Sequence, residues 1–178
     1  MIIPDSFEVN DCFFTGSGIN MKVKANSKKI GAIKQTHLFT GKQFELINDK
    51  KELIAICRKY RTPYGNVIEI FDELNNKVGS IERLLYFEGS RCEKYIIRNV
   101  NLDLVAETAL VPKIGNIIEF YDMHKIKIAE LNKKDGLMND NWKVNLFGNF
   151  DRRLLIFLPI FIGNELEIGA VDTPNQVY

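Results

Sequence analysis

The chain has 178 residues, 46% of them hydrophobic and 26% charged. That composition excludes wholesale disorder and supplies a core for one domain without metal or disulfide staples. Lys plus Arg number 24 against 23 Asp plus Glu, so the net charge of +1 exerts no chain-wide pull toward nucleic acid or membrane.

The total conceals an asymmetry. Residues 1–19 carry three acids and no base (−3), and 20–64 carry eleven bases and three acids (+8). Residues 65–122 carry six bases and ten acids (−4), and 123–178 seven of each. The start, Met1-Ile2-Ile3-Pro4-Asp5, lacks the basic stretch and apolar run of a secretory signal. Cys12, Cys57 and Cys92 form no close pair, which fits reduced, intracellular thiols. A cytoplasmic protein, peripheral to a membrane at most, is the expectation. Residues 1–19 read as a lead-in whose Cys12-Phe13-Phe14, apolar without clear period, is open to reading as an N-terminal strand that plugs one end of a barrel, and Gly16-Ser17-Gly18 reads as a turn.

From residue 20 onward one pattern recurs: an apolar strand-like run, an Asx turn, then a second run containing a small residue. A faint copy is Met21-Lys22-Val23-Lys24 with Ile30-Gly31-Ala32-Ile33. Clear copies pair 44–49 with 53–56, 67–72 with 78–81, 95–99 with 104–106, and 117–122 with 126–129. Their small residues are Ala55, Gly79, Ala106 and Ala129. Asp49, Asp72 and Asp122 precede the small residue by six or seven positions, and Asn99 takes that place in the third copy. β-Branched and aromatic residues fill the runs and Asx side chains can bond the turn backbone, so each unit predicts a β-hairpin. Ile68-Glu69-Ile70 and Lys125-Ile126-Lys127-Ile128 alternate with the period of a strand buried on one face. Hairpins of this length cannot bury a face alone, and a meander closed on itself removes both the exposed face and the open edges. Leu84-Leu85-Tyr86-Phe87 reads either as strand or as a surface anchor.

The end of the chain departs from the repeat. Trp142–Phe147 predicts a last strand, Gly148-Asn149 a turn, and Leu154–Ile162 is apolar throughout. Nine residues rise about 13.5 Å as a helix, against a hydrocarbon core of about 30 Å, so no transmembrane helix is expected. Pro159 and the Ile/Phe content also fit a buried strand, but Asp151 as N-cap favours a helix over 151–163.

Hairpins of the type Ile-Glu-Ile-Phe-Asp-x6-Gly-Ser-Ile (68–72 and 79–81), followed by a strand and by Asp151 before an apolar C-terminal helix, resemble the tubby-like C-terminal superfamily. In style they are most similar to the LURP-one-related proteins and phospholipid scramblases, over about residues 20–167, leaving 168–178 as a tail. The resemblance implies an all-β fold: a closed antiparallel barrel of about twelve strands, six hairpins, around a buried central apolar helix. For function it implies phosphoinositide headgroup binding by basic barrel residues in tubby domains, and calcium and phospholipid movement in scramblases. The phosphoinositide pocket has no position-by-position match here. Where scramblases have an acidic calcium segment this chain has only Asp151 beside Arg152 and Arg153, and it lacks their Pro-rich tail and cysteine cluster. A calcium site normally uses six to eight oxygens, so that activity does not carry over.

No catalytic motif of the HExxH, P-loop, GxGxxG or GxSxG type is present, and no enzyme activity, metal or cofactor is expected. His124 falls in a predicted turn, and His37 has no ligand-type neighbour. Cys57, although beside Arg58-Lys59, reads as a buried small hydrophobe. The functional candidates are cationic: Lys22, Lys24, Lys28, Lys29, Arg58, Lys59 and Arg61, which neighbouring hairpins would bring together to hold an anionic headgroup or membrane surface. Tyr60 and Tyr64 lie among them. The bland alternative is that these lysines only confer solubility and block edge pairing. Two other functions remain open, a protein-interaction scaffold with no lipid ligand and an apolar-ligand carrier, whereas nucleic acid is disfavoured by the neutral total.

Overall fold

A computed structural model describes residues 3–15, 18–38, 41–62, 65–88, 90–112, 116–134 and 141–162. In chain order the strands are β1 (Ser6–Thr15), β2 (Gly18–Ala25), β3 (Lys28–Leu38), β4 (Gly41–Asn48), β5 (Leu53–Thr62), β6 (Gly65–Asp72) and β7 (Lys77–Glu88). They continue with β8 (Ser90–Asn99), β9 (Leu104–Thr108), β10 (Val111–Pro112), β11 (Ile117–Tyr121), β12 (Lys127–Lys134) and β13 (Asn141–Leu146). Each pairs antiparallel with its neighbours, β1 pairs with β13, and β9 bridges β8 and β11. The result is a closed twelve-strand antiparallel barrel, with two-residue β10 continuing along the β8 edge beyond β9.

Residues 6–15 are therefore part of the barrel, not a lead-in to it. Phe7 and Val9 face inward at 1% exposure, and β1 closes the cylinder between β2 and β13. The expectation stopped at residue 20 because no Asx-turn repeat announces β1. Leu84–Phe87 is strand, within β7. The segment 168–178 and Gly16-Ser17 lie outside the described residues.

The repeat has a structural basis sharper than its sequence trace. In every copy one extra residue interrupts the register just before the small one. Val23 pairs with Gly31 but Lys24 with Lys29, leaving Ile30 over. The same slip leaves over Ile54, Val78, Val105 and Ile128. A β-bulge of this kind bends the strand and breaks the inside–outside alternation. Each bulged Ile or Val packs against the core, and the next position, Gly31, Ala55, Gly79, Ala106 or Ala129, is buried. Five small inward residues thus form one ring around the barrel, near the end where the tight turns lie.

Four of those turns are the same object. Asp72 Oδ1 accepts the backbone N–H groups of Leu74 (3.0 Å) and Asn76 (2.7 Å). Asn99 Oδ1 takes those of Asn101 and Asp103, and Asp122 Oδ1 those of His124 and Ile126. In the first copy the residue is Asn48, whose Oδ1 accepts Glu52 N–H, not Asp49. With that correction the spacing from Asx to small residue is seven in all four. The fourth turn residue is left-handed each time: Lys51, Asn75, Leu102 and Lys125, at φ 62–68°. The β2–β3 copy instead uses a two-residue turn with Asn26 at φ 48° and Ser27 at φ 64°, whose positive angles match the twist of a hairpin.

The apolar C-terminal run is helical in two pieces, α1 (Arg153–Ile156) and residues 158–162, with a turn at Phe157. The break has a plain cause. Pro159 has no N–H to give to the carbonyl four residues back, but it is tolerated in the first turn of a new helical piece. The cap differs from expectation by one position: Arg152 is the boundary residue and makes no side-chain cap bond. Asp151 still satisfies an orphan donor, accepting Arg153 N–H at 3.0 Å. Leu154, Leu155 and Ile156 are buried, and with Phe157, Leu158 and 160–162 they join the inward strand residues in one hydrophobic cluster. Leu154 meets the turn end of the barrel beside Gly79, while Phe161 lies edge-on to Tyr95 at 6.1 Å between ring centres. Among the described residues no helix is long and apolar enough to cross a membrane.

Candidate anionic-surface site

Five lysines converge on the β2–β3 hairpin. Met21 and Val23 point inward, so the period of two turns Lys22 and Lys24 outward on β2. On β3, Ile33 points inward and Lys34 outward, and Lys28 and Lys29 follow the turn. Register places Lys24 opposite Lys29, and Asn20, two residues from Lys22, opposite Lys34. Like charges directly opposite on a sheet repel, at a cost of about 0.2–1 kcal/mol per pair. None of the five makes an ion pair among the described residues.

Several other cations are held by acids: Lys77 by Glu69, Lys94 and Lys125 by Glu107, Arg98 by Glu82, Lys127 by Glu119 and Glu130, and Lys134 by Glu8. Lys50, Lys51, Lys143 and Arg58, like the five, make no ion pair among the described residues. The bonds to Lys94 and Lys125 hold the Glu107 carboxyl below the usual carboxylate range. In the cleft of about 690 Å³ at the turn end, lined by Ile3, Glu52 and Arg152-Arg153, both arginines are paired. Arg152 pairs with Asp5, and Arg153 grips Asp151 with two nitrogens. Burial raises the Asp151 carboxyl, but the Arg153 bonds outweigh it and leave it below the ordinary value.

The other three expected cations do not join the hairpin. Lys22 lies level with Leu53 on β5, reached through Ala32 and Ile47, whereas Arg58 is five residues further along. Five residues span about 16 Å and three strand spacings about 14 Å, so the groups sit on the order of 20 Å apart. Arg58 lies over the Phe71 ring at 4.4 Å and donates to Asn75 Oδ1 and Gln43 Oε1. Lys59 leans toward the Phe161 ring, 5.9 Å away. Arg61 sits on β5 opposite Asn66, and its side chain lies outside the described residues. Tyr60 is exposed, and Tyr64 is outside the described residues. Lys34, missed in the sequence, faces outward once the bulge at Ile30 and the burial of Gly31 and Ile33 set the phase of β3.

Cys57 is 2% exposed, and burial pushes its thiol far above the ordinary range, as a packing residue requires. His124 contributes its backbone N–H to the Asp122 turn. The interior space bounded by Phe44, Cys57, Ile68, Phe157 and Phe161 is about 10 Å³, room for one water and not for an apolar ligand. Among the described residues no three His, Cys, Asp or Glu side chains are grouped to hold a metal. Compared with family models, curated proteins and solved structures, the chain finds no match.

Proposed function

We propose that this chain is a non-enzymatic barrel of the tubby-like kind, with helical residues 153–162 filling its centre, that docks on anionic phospholipid surfaces through Lys22, Lys24, Lys28, Lys29 and Lys34. The observation that carries the reading is the hairpin itself: five lysines within thirteen residues, Lys24 directly opposite Lys29, and no ion pair to any of the five among the described residues, although Glu8 and Glu45 lie opposite Lys24 and Lys34 on the flanking strands. An external anion resolves the repulsion. Near a negatively charged leaflet each lysine contributes about 1 kcal/mol, falling off within a Debye length of about 8 Å at physiological salt.

Co-sedimentation with phosphatidylcholine vesicles, with and without phosphatidylserine, tests it. Binding that needs phosphatidylserine, weakens with salt and disappears when all five lysines become Ser is the expected result. Arg58→Ser should leave it unchanged, since Arg58 lies away from the hairpin. Binding indifferent to phosphatidylserine refutes the reading and favours a protein-interaction scaffold.

A further inference from the structure

The turn end of the barrel is divided. Its exposed large apolar side chains sit on three consecutive turns: Leu74 (77% exposed) between β6 and β7, Val100 and Leu102 between β8 and β9, and Met123 (70%) and Ile126 between β11 and β12. Phe147, 59% exposed, follows β13, next around the rim. Single exposed hydrophobics need no explanation, but a contiguous set does. The other two turns carry Lys28, Lys29, Lys50 and Lys51. The turns carry acids as well: Asp72 and Asp122 bond their own turn backbones, Asp103 and Glu52 accept the side-chain amides of Asn99 and Asn48, Glu73 lies 3.7 Å from Arg153, and Asp49 is exposed beside Lys50.

Geometry decides what this surface fits. The three apolar turns share one hydrogen-bond pattern and one spacing of seven residues to the ring of inward small residues. Their tips therefore stand at one level, about 10 Å beyond that ring at strand rise. The tips project from separate turns, and Ile126 and Phe147 also line an open cleft of about 260 Å³ between two of them. A bilayer edge accepts convex apolar side chains without shaping, to a depth of about 5–10 Å. The lysines on the neighbouring turns of the same rim would then lie at headgroup level.

We infer that the crown formed by Leu74, Val100, Leu102, Met123, Ile126 and Phe147 inserts into the acyl edge of a phospholipid bilayer while the lysines of the adjoining turns hold the headgroups. This rests on the membrane reading above and adds the orientation: the barrel stands on its turn end. Two variants separate the claims. Leu74→Ser/Leu102→Ser/Met123→Ser alters only exposed turn positions and, with an unchanged circular dichroism spectrum and melting curve, should lower the partition onto phosphatidylcholine–phosphatidylserine vesicles by about 30-fold or more. The residual binding should be abolished by salt. In Met123→Trp, the new indole should shift to the blue on vesicle addition and be quenched by lipids brominated on the acyl chain, whereas Trp142, at 2% exposure, supplies an unquenched background.

Wild-type protein that binds no vesicle overturns both readings. Wild-type binding that the triple Ser variant retains in full, or an unquenched Met123→Trp, overturns the crown alone and leaves the lysine hairpin standing. A dimer in sedimentation velocity that the triple variant dissolves would assign the crown to a second copy and overturn its insertion.

Discussion

Replacing Gly79 by Ala probes the inner ring at its tightest point. The other clear copies of the repeat carry Ala there, at 55, 106 and 129, so the sequence pattern alone predicts a harmless change. The structure predicts the opposite. A Cβ at position 79 would stand 2.2 Å from the Arg98 carbonyl oxygen, 2.8 Å from Leu154 Cδ2 and 3.2 Å from Asn99 Cα. Leu154 can turn, but the carbonyl belongs to β8, which pairs with β7 at this point, so the sheet itself must shift. Overpacking of this sort costs about 1–3 kcal/mol, and the reduced freedom of the unfolded chain returns about 0.4–1 kcal/mol. The net loss of about 1–2 kcal/mol lowers the melting temperature by about 2–8 °C in a chain of this size. Urea or thermal unfolding followed by circular dichroism reads it directly. Leu154→Ala added to Gly79→Ala should recover part of the clash while opening a cavity, so the two changes should fail to add. A Gly79→Ala barrel as stable as wild type would refute the claim that the ring is closed tightly at Gly79.

Three further outcomes follow from the same packing. Lys29→Glu replaces a like-charge cross-strand pair with an attractive one, so it should raise stability by about 0.2–1 kcal/mol while weakening binding to phosphatidylserine vesicles; paired melts and co-sedimentation check the opposite signs. Asp72 is held below its ordinary value chiefly by the Asn76 side chain and backbone bonds, so its stabilising contribution is complete above about pH 4 and is lost as pH falls through the folded value. Asp72→Asn keeps Oδ1 for the Leu74 and Asn76 backbone N–H groups but turns a donor toward the Asn76 side-chain amide where Oδ2 accepted it, so it should lower the neutral-pH melt while flattening its decline at acid pH, a comparison two melting series make. Arg83 is 2% exposed and bonded to Glu93, which also accepts the Tyr95 hydroxyl at 2.8 Å; Glu93→Leu would leave a buried guanidinium without its carboxylate and should cost about 3–5 kcal/mol by denaturant titration, whereas Arg83→Met with Glu93→Leu should recover much of it.

How far the sequence could be read depended on which constraint each residue obeyed. Ile68-Glu69-Ile70 alternates because its inner face is buried and its outer face is not, and such runs placed β4 to β9, β11 and β12 correctly. Alternation fails at a bulge, where Val78 and Gly79 both meet the core; the small residues were visible as a repeat, but the register slip that explains them was not. The first turn was assigned to Asp49 because carboxylate and amide look alike in sequence, and only the hydrogen bond to Glu52 singles out Asn48. Of β1 only Cys12–Phe14 reads as a candidate strand, a plug at one barrel end, because Ser6–Thr15 closes the wall by pairing with β13, a contact 139 residues away for Ser6 and Asn145 that no local pattern encodes. The cationic site was half legible. Lys22, Lys24, Lys28 and Lys29 share a hairpin and stay together in any fold that keeps it. Arg58 and Lys59 were joined to them by assuming that neighbours in the chain are neighbours at the same height, and the stagger of β5 against β2 separates them.

The repeat also explains why one end of the barrel can carry function. Within each turn unit the fold constrains the Asx residue, whose oxygen organises the backbone, and the bulged and small residues six and seven positions later, which meet the core. The Asx oxygen is met by turn backbone N–H groups, which any residue but proline supplies. Leu74, Val100, Met123 and Lys50 therefore occupy tip positions of a common frame with little consequence for the barrel, and their chemistry is free to follow whatever the rim touches. Had solubility alone shaped the rim, the three copies from β6 to β12 would carry polar tips like those of Asn26, Ser27 and Lys50. Five exposed apolar side chains on three adjacent turns are instead disfavoured in water at every position, while the frame holds Lys28, Lys29 and Lys51 beside them at the same end. That combination costs solubility in isolation and suits the surface proposed above, one with an apolar interior and a charged skin.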